Sequence, residues 1–199
     1  MLVRVFLNGE GYIDEPQKAD YTVACDGGFE YCQKRGIAVD RVIGDFDSLG
    51  YVPNGAEEYS KVKDFTDGEA SVELVKNIAS EIIFYNFGGG REDHFFGNLS
   101  LLVKAKKYNI KAKAVTNYCE IYYVEDNIKL KSVKGKTITV VPFGDMAHIL
   151  KGKGLLYPIN NLVFSADKTL GVSNEAVEDV VEFEIKSGKV FIFVVKEKV

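Results

Sequence analysis

About the first 117 residues of the chain alternate between short β-rich runs and helical patterns. The β-rich runs lie at residues 3–7, 21–25 and 41–43, and residues 28–34 between the last two can form a helix. Strands that alternate with helices are typical of an α/β unit with a largely parallel sheet. We therefore predict an α/β domain for this part of the chain.

Two further helices are well marked in the same half. The first begins with the capping box Thr66-Asp-Gly-Glu69, and its apolar residues fall on one face: Ala70, Leu74, Val75 and Ile78. The second follows an apolar run at residues 82–87 and a turn at Gly88-Gly-Gly90, and its apolar face comprises Phe95, Leu99, Leu102 and Val103. We expect a strand, a glycine turn and a helix in that order.

Beyond Asn117 the helical period disappears. The remaining apolar runs are typical of strands, at residues 121–124, 128–130, 137–141, 180–185 and 189–195. Ser187-Gly188 predicts a tight hairpin turn between the last two. We place a domain boundary near residue 120, with an α/β domain over 1–120 and an all-β, sandwich-like domain over 121–199.

Charge and patterning argue against several protein classes. A formal net charge of −4 is unlike the basic excess of nucleic-acid-binding proteins. The longest apolar run, Val190–Val195, is far shorter than the roughly 20 residues of a membrane-spanning helix. The amino terminus has no signal-peptide core, and the three cysteines form no CxxC pair. We predict a cytoplasmic protein without nucleic-acid or membrane partners.

Two carboxylates follow an apolar strand in Ile43-Gly-Asp-Phe-Asp-Ser48. Residues i and i+2 of an extended chain point to the same face, so Asp45 and Asp47 can approach one cation. Mg²⁺ typically binds one or two carboxylates together with substrate phosphates. A polar loop in which Asp47 and Ser48 only turn the chain explains the same hexapeptide.

A third carboxylate, Asp67, ends the segment Lys63-Asp-Phe-Thr-Asp67 at the start of a predicted helix. The helix dipole alone accounts for an acidic residue in a first turn. Beside Asp45 and Asp47, however, Asp67 would complete a cation site at the carboxyl edge of the sheet, where open α/β folds bind ligands.

The segment Gly88-Gly-Gly-Arg-Glu-Asp-His94 leads into the second helix and suits a phosphate. Backbone amides at a helix start bind phosphate oxygens, and Arg91 can donate two parallel hydrogen bonds to them. The pattern is neither a Walker A loop nor a dinucleotide fingerprint. Asp26-Gly-Gly28 repeats the arrangement after an earlier strand. An ordinary turn explains either glycine segment, and His94 alone is typical of a capping group.

Taken together and in this order, the segments resemble the thiamin pyrophosphokinase family. The segments are Asp26-Gly-Gly28, Ile43-Gly-Asp-Phe-Asp-Ser48, Lys63-Asp-Phe-Thr-Asp67, Gly89-Gly-Arg-Glu-Asp-His94, Gly154-Leu-Leu-Tyr-Pro-Ile159 and Gly171-Val-Ser-Asn-Glu175, with Asn98. The resemblance covers nearly the whole chain. It implies an α/β nucleotide-binding domain, a β-sandwich and a homodimer.

The resemblance also implies a role for individual residues. A catalytic magnesium and pyrophosphate site would consist of Asp45, Asp47 and Asp67. ATP would be bound by Asp26, Gly27, Arg91, Asp93 and His94. Thiamin would be contacted by Tyr157, Ser173 and Asn174, in a site that two subunits share. Tyr157 can offer a π-face to the cationic thiazolium, and the chain contains no tryptophan.

In the implied reaction the hydroxyl of thiamin attacks the β-phosphorus of ATP, and AMP leaves. One of Asp45, Asp47 or Asp67 could accept the hydroxyl proton, and the sequence leaves open which. Two other functions stay open: a pyrophosphokinase of the same fold that acts on another hydroxymethyl heterocycle such as a pterin, and a non-catalytic nucleotide sensor. Three carboxylates disfavour the sensor, because binding alone does not require them.

Overall fold

The computed structural model describes residues 1–196 of the 199-residue chain, which divides into two compact units. The first unit comprises Met1–Asn117, and the second begins at Tyr118. The limits 1–120 and 121–199 remain a prediction, because they refer to functional domains. Within the described residues, no helix is both long and apolar enough to cross a membrane.

The first unit is an α/β unit with a parallel sheet. Its strands are β1 (Leu2–Phe6), β2 (Tyr21–Cys25), β3 (Arg41–Gly44), β4 (Glu57–Glu58), β5 (Glu81–Tyr85) and β6 (Lys111–Val115). Its helices are α1 (Gly28–Lys34), α2 (Asp67–Val75) and α3 (Glu92–Lys107). The strand order is β6-β5-β1-β2-β3-β4, and each described pairing is parallel. The predicted fold class of this half is confirmed.

Helix α2 begins as its capping box predicts. The Thr66 side chain accepts a hydrogen bond from the Glu69 amide at 3.2 Å, and Thr66 has an extended backbone. This bond satisfies one of the amides that a helix start leaves without a partner. The helix ends at Val75, so the prediction that Ile78 extends its apolar face is wrong. Ile78 is 45% exposed, and Val72 is buried instead.

Helix α3 buries Leu99 and Leu102 as predicted, together with Leu101 and Ala105. Its last turns are tied to α2 by Lys104. The ammonium of Lys104 lies 2.8 Å from Glu69 Oε1 and 2.6 Å from Glu73 Oε1. The two helices therefore combine an apolar contact with an ion-pair network on their outer side.

The second unit consists of two antiparallel sheets, which confirms the predicted sandwich-like class. Its strands are β7 (Cys119–Val124), β8 (Asn127–Lys131), β9 (Thr137–Pro142), β10 (Met146–Lys153), β11 (Ile159–Ser165), β12 (Asn174–Glu175), β13 (Val180–Ser187) and β14 (Val190–Val195). Within this unit, one sheet has the order β12-β9-β14-β7 and the other β11-β10-β13-β8. Their inner faces share one apolar core, which includes Ile138, Ile149, Val181 and Ile192.

The predicted hairpin at Ser187-Gly188 is wrong. Strand β13 pairs with β10 and β8, whereas β14 pairs with β7 and β9, so the chain passes from one sheet to the other at this turn. Gly188 has φ +80°, and a Cβ there would lie 2.4 Å from the Met146 carbonyl. The glycine is required by this close crossing, and a local turn pattern does not distinguish such a crossing from a hairpin.

Three turns at the carboxyl edge of the parallel sheet contain non-glycine residues with positive φ. These residues are Asp26 (φ 46°) after β2, Phe46 (φ 55°) after β3 and Asn86 (φ 52°) after β5. A left-handed backbone costs roughly 1–2 kcal/mol for a residue with a Cβ. Such turns commonly occur at functional sites, where the surrounding structure holds them in place.

Candidate cation and phosphate site

Polar side chains follow four neighbouring strands of the parallel sheet. Strands β5, β1, β2 and β3 are adjacent in this order, so their carboxyl ends meet at one edge. The residues that follow them are Asn86, Asn8, Asp26 and Asp45. Open α/β sheets bind ligands outside this edge.

Three carboxylates converge there. One oxygen from each of Asp26, Asp45 and Asp47 lies within 4.8 Å of the other two. The predicted approach of Asp45 and Asp47 does occur, but the chain between them is not extended. Phe46 has φ 55° and a buried side chain, and the turn brings the Asp47 amide to 3.4 Å from Asp45 Oδ1.

Asp26 is the most buried of the three, at 5% exposure. Its Oδ2 accepts a hydrogen bond from Asn8 Nδ2 at 2.9 Å, whereas its Oδ1 is buried and accepts no hydrogen bond from any residue that the structure describes. A buried carboxylate oxygen without a partner is costly. A bound cation would remove that cost, so the donor set fits a hard divalent cation.

Asp67 is joined to Asp45 through Lys63. The Lys63 ammonium lies 2.7 Å from Asp45 Oδ2 and 3.1 Å from Asp67 Oδ1, and its side chain is only 9% exposed. The hydrogen bond from Lys63 holds the pKa of Asp45 below its usual value. Burial raises the pKa of Asp67 despite the lysine. The structure thus places Asp26 in the three-carboxylate cluster and Asp67 beside it, across the lysine.

The glycine loop after β5 packs against the turn after β1. The Glu10 amide donates to the Gly88 carbonyl at 2.8 Å, and a Cβ at Gly89 would lie 2.3 Å from Glu10 Cβ. Gly9 is equally tight, since its Cβ would lie 2.2 Å from the Asn86 carbonyl oxygen. Asn8-Gly-Glu10 therefore lies between the carboxylate cluster and the glycine loop.

Arg91, Asp93 and His94 lie at the start of α3, and all three are exposed. Arg91 donates to Asp93 through Nε at 3.1 Å and Nη2 at 2.6 Å. This pair lowers the pKa of Asp93 to about 2. The Asn98 side chain donates to the Phe87 carbonyl at 2.8 Å and holds the helix against the loop. Within residues 1–196, Arg91 Nη1 has no partner, so it can donate to an anion.

Gly27 precedes α1, and its lack of a side chain is required by Asn8. A Cβ at Gly27 would lie 2.0 Å from Asn8 Oδ1. Gly27, which was predicted to bind ATP, thus leaves space for the Asn8 side chain.

In the second unit, Tyr157, Ser173 and Asn174 form one group. The Asn174 side chain accepts a hydrogen bond from the Tyr157 backbone N–H at 3.0 Å through Oδ1. Its Nδ2 donates one to the Tyr157 carbonyl at 2.8 Å. Tyr157 is 64% exposed, whereas Asn174 is buried. Asn174 therefore fixes the backbone that presents the tyrosine ring. Ser173 is exposed, has φ 62° and donates its amide to Thr139 Oγ1 at 3.0 Å.

Sequence reasoning missed three residues of the carboxylate site: Asn8, Ser48 as a hydrogen-bonding group and Lys63 as an ion-pair partner. Asn8 immediately follows an apolar run in Phe6-Leu-Asn-Gly9, and a polar residue before glycine at a strand end was the available signal. Lys63 begins the motif Lys63-Asp-Phe-Thr-Asp67, but spacing alone does not reveal that its side chain pairs with Asp45 and Asp67.

Known proteins resemble the chain over almost its full length. The family described as "Thiamin pyrophosphokinase, catalytic domain" matches residues 14–114, and "Thiamin pyrophosphokinase, vitamin B1 binding domain" matches residues 125–190. The curated thiamine pyrophosphokinase of Bacillus subtilis (strain 168) is 29% identical over 189 residues, which cover 89% of this chain and 87% of that protein.

Solved structures also match the chain over almost its whole length. The crystal structure of thiamine pyrophosphokinase from Bacillus subtilis superposes with a TM-score of 0.84 at 24% identity and covers 100% of both chains. Thiamin pyrophosphokinase from Candida albicans superposes with a TM-score of 0.81 at 17% identity and covers 98% of this chain and 89% of that one. At these identities the structural likeness supports the fold.

Proposed function

Because the chain belongs to the thiamin pyrophosphokinase family, we propose that it transfers the pyrophosphoryl group of ATP to thiamin, giving thiamin diphosphate and AMP. The observation that carries this proposal is the three-carboxylate cluster of Asp26, Asp45 and Asp47 at the sheet edge, in the unit that matches the catalytic domain. A nucleotide polyphosphate and a divalent cation are what such an edge suits.

We propose Mg²⁺ as the cation. Asp26, Asp45 and Asp47 would hold it, and it would neutralise the charge that develops on the phosphate oxygens. Support comes from Asp26 Oδ1, a buried carboxylate oxygen that has no hydrogen-bond partner among the described residues and that a cation would satisfy. This assignment moves Asp26 from the ATP contacts implied by the resemblance to the cation site. Asp67 would act beside it, paired with Lys63, as one of the carboxylates that could accept the proton of the thiamin hydroxyl.

ATP is proposed to lie against the glycine loop. Arg91 and the amides of Gly89 and Gly90 would contact its phosphates, because both glycines are exposed in the turn before α3 and a Cβ at Gly90 would meet no atom within 4 Å. Asp93 holds the Arg91 guanidinium at the helix start, and His94 lies beside it.

Thiamin is proposed to contact the exposed ring of Tyr157 and the hydroxyl of Ser173. Asn174 would act indirectly, since both ends of its amide bind the Tyr157 backbone. The family resemblance favours a homodimer in which two chains share each site. A cytoplasmic location is also proposed, consistent with cysteines that form no disulfide, two of which are fully enclosed in the core.

The proposal is tested by measuring AMP release from ATP with thiamin, with a hydroxymethylpterin or with no acceptor, each with Mg²⁺ and with EDTA. We expect AMP and thiamin diphosphate in equal amounts only with thiamin and Mg²⁺. Release with the pterin alone would indicate the alternative acceptor, binding of ATP without turnover would indicate a sensor, and full activity in EDTA would exclude the metal assignment.

A further inference from the structure

Asn8 connects two of the three clustered carboxylates. Its side-chain Nδ2 donates to Asp26 Oδ2 at 2.9 Å and to Ser48 Oγ at 2.8 Å. The Ser48 hydroxyl in turn donates to Asp47 Oδ1 at 3.2 Å. One amide group thus reaches Asp26 directly and Asp47 through one hydroxyl.

The orientation of the Asn8 amide follows from its partners. An ionised carboxylate only accepts hydrogen bonds, so the atom facing Asp26 Oδ2 must be the NH₂ group. The amide oxygen then faces Gly27, where a Cβ would lie 2.0 Å from it. Glycine at this position is what allows Asn8 to take up that orientation.

The consequence for Asp26 is an unequal use of its two oxygens. Asn8 occupies Oδ2, whereas Oδ1 is buried and has no hydrogen-bond partner among the described residues; Asp26 as a whole is only 5% exposed. A donor that fixes one oxygen also fixes the rotation of the carboxylate, and therefore the direction of the other oxygen.

We infer that Asn8 is a positioning residue for the cation site. It holds Asp26 and, through Ser48, Asp47 in the arrangement that binds the divalent ion before the ion arrives. This role rests on the proposed function of the cluster. It assigns to the turn after β1 a task that neither the sequence motifs nor the family match places there.

The test is direct binding of Mn²⁺, titrated with and without AMP and followed by electron paramagnetic resonance of the free ion. We expect Asn8→Ala to weaken Mn²⁺ binding by about 10-fold or more, because removal of a residue that orients a metal ligand typically has that effect. Ser48→Ala removes only the branch to Asp47, so its loss should be smaller. Circular dichroism confirms that each variant is folded.

A kinetic measurement separates positioning from general damage. Asn8→Ala should raise the Mg²⁺ concentration for half-maximal AMP release by a similar factor, while turnover at saturating Mg²⁺ falls less. The double variant Asn8→Ala, Ser48→Ala should lose less Mg²⁺ affinity than the two single variants combined, because both residues act on one network. Asn160→Ala, which removes an exposed asparagine from β11, is the matched control and should change neither quantity.

Two outcomes would overturn the inference in different ways. If the wild-type protein binds Mn²⁺ and folded Asn8→Ala binds it with the same affinity, Asn8 does not position the site. The cation proposal would then stand. No Mn²⁺ binding by the wild-type protein, with or without AMP, would remove the cation site itself and the role of Asn8 with it.

Discussion

The carboxylates at the sheet edge differ in what already neutralises them. Among the described residues, Lys63 pairs with Asp45 and Asp67, whereas the exposed Asp47 carboxylate accepts a hydrogen bond from the Ser48 hydroxyl and has no ion-pair partner. Replacement of Asp47 by asparagine should therefore disturb the fold less than the same change at Asp45 or Asp67. Its charge should matter for catalysis and little for folding.

We expect Asp47→Asn to lower AMP release by about 100-fold or more, because the amide keeps the shape and loses the charge that attracts the cation. The thermal unfolding midpoint should stay close to wild type. The measurement is turnover across a Mg²⁺ series, with the exposed Asp145→Asn as control. Near-normal turnover of Asp47→Asn would remove it from the site.

Arg91 is paired with Asp93 through two of its nitrogens, which sets the plane of the guanidinium. Arg91→Lys keeps the charge but loses that planar geometry. We expect ATP affinity or turnover to fall by about 10-fold, equivalent to about 1.4 kcal/mol. The control Arg41→Lys changes an exposed arginine on β3. If ATP titrations of Arg91→Lys and wild type coincide, Arg91 is only a helix-start residue.

At this scale the sequence predicted residue types better than conformations. The convergence of Asp45 and Asp47 followed from their spacing, but the route was a positive-φ turn at Phe46 and not an extended strand. Asn8 and Lys63 escaped prediction because the bonds Asn8–Asp26 and Lys63–Asp45 each join residues 18 positions apart. Periodicity within one segment carries no information about such contacts.

Among the helices, the pairing of α2 with α3 depends on Lys104. Hydrogen bonds from Lys104, Lys76 and Tyr108 lower the pKa of Glu73 from 4.5 to about 2, with Lys104 the largest cause. A lowered carboxyl pKa stabilises the fold at pH values above the unfolded pKa. That stability is lost as the pH falls from about 4.5 through about 2.

We expect Lys104→Met to destabilise the protein at pH 7 by about 0.5–1 kcal/mol, a value kept small because solvent screens the partly exposed Glu73. The difference in unfolding free energy between Lys104→Met and wild type should become smaller as the pH falls below about 4.5, since Glu73 then binds a proton in the unfolded chain. Unfolding midpoints from pH 7 to 3.5 measure this. The control Lys107→Met removes a positive charge from the same last turn, so it changes the interaction with the helix dipole equally. Its difference in stability from wild type should not depend on pH in this way. A constant difference for Lys104→Met would argue against the network.

Element prediction succeeded where one period dominated a segment. The helix start at Thr66 and the buried leucines of α3 follow from capping and 3.6-residue spacing. The alternation around His148 indicated a strand where β10 lies, whereas β11 was not predicted, because Asn160 and Asn161 interrupt its apolar pattern. The hairpin prediction at Ser187-Gly188 failed because the alternation of β13 and the apolar run of β14 are the same in a hairpin and in a crossing, and only the sheets that the two strands join distinguish them.

For the whole molecule, the proposed homodimer predicts complementation. Chains with Asp47→Asn and chains with Tyr157→Ala and Ser173→Ala should each be inactive. After subunit exchange, half of the dimers are hybrids, and each hybrid would contain one intact site of two if the sites are shared. Activity should then return to about one quarter of wild type. If mass spectrometry shows that hybrid dimers have formed but activity does not return, each site is built from a single chain.

The turn at Asp26 also has a consequence for laboratory evolution. Asp26 combines a left-handed backbone with a buried, unpartnered carboxylate oxygen. Glycine at this position would relieve both costs at once, so a library selected for heat resistance alone should accept Asp26→Gly readily. The same substitution removes a proposed cation ligand. Only a selection that also demands turnover would retain the aspartate, and comparing the two libraries would show directly how much stability this chain gives up for its chemistry.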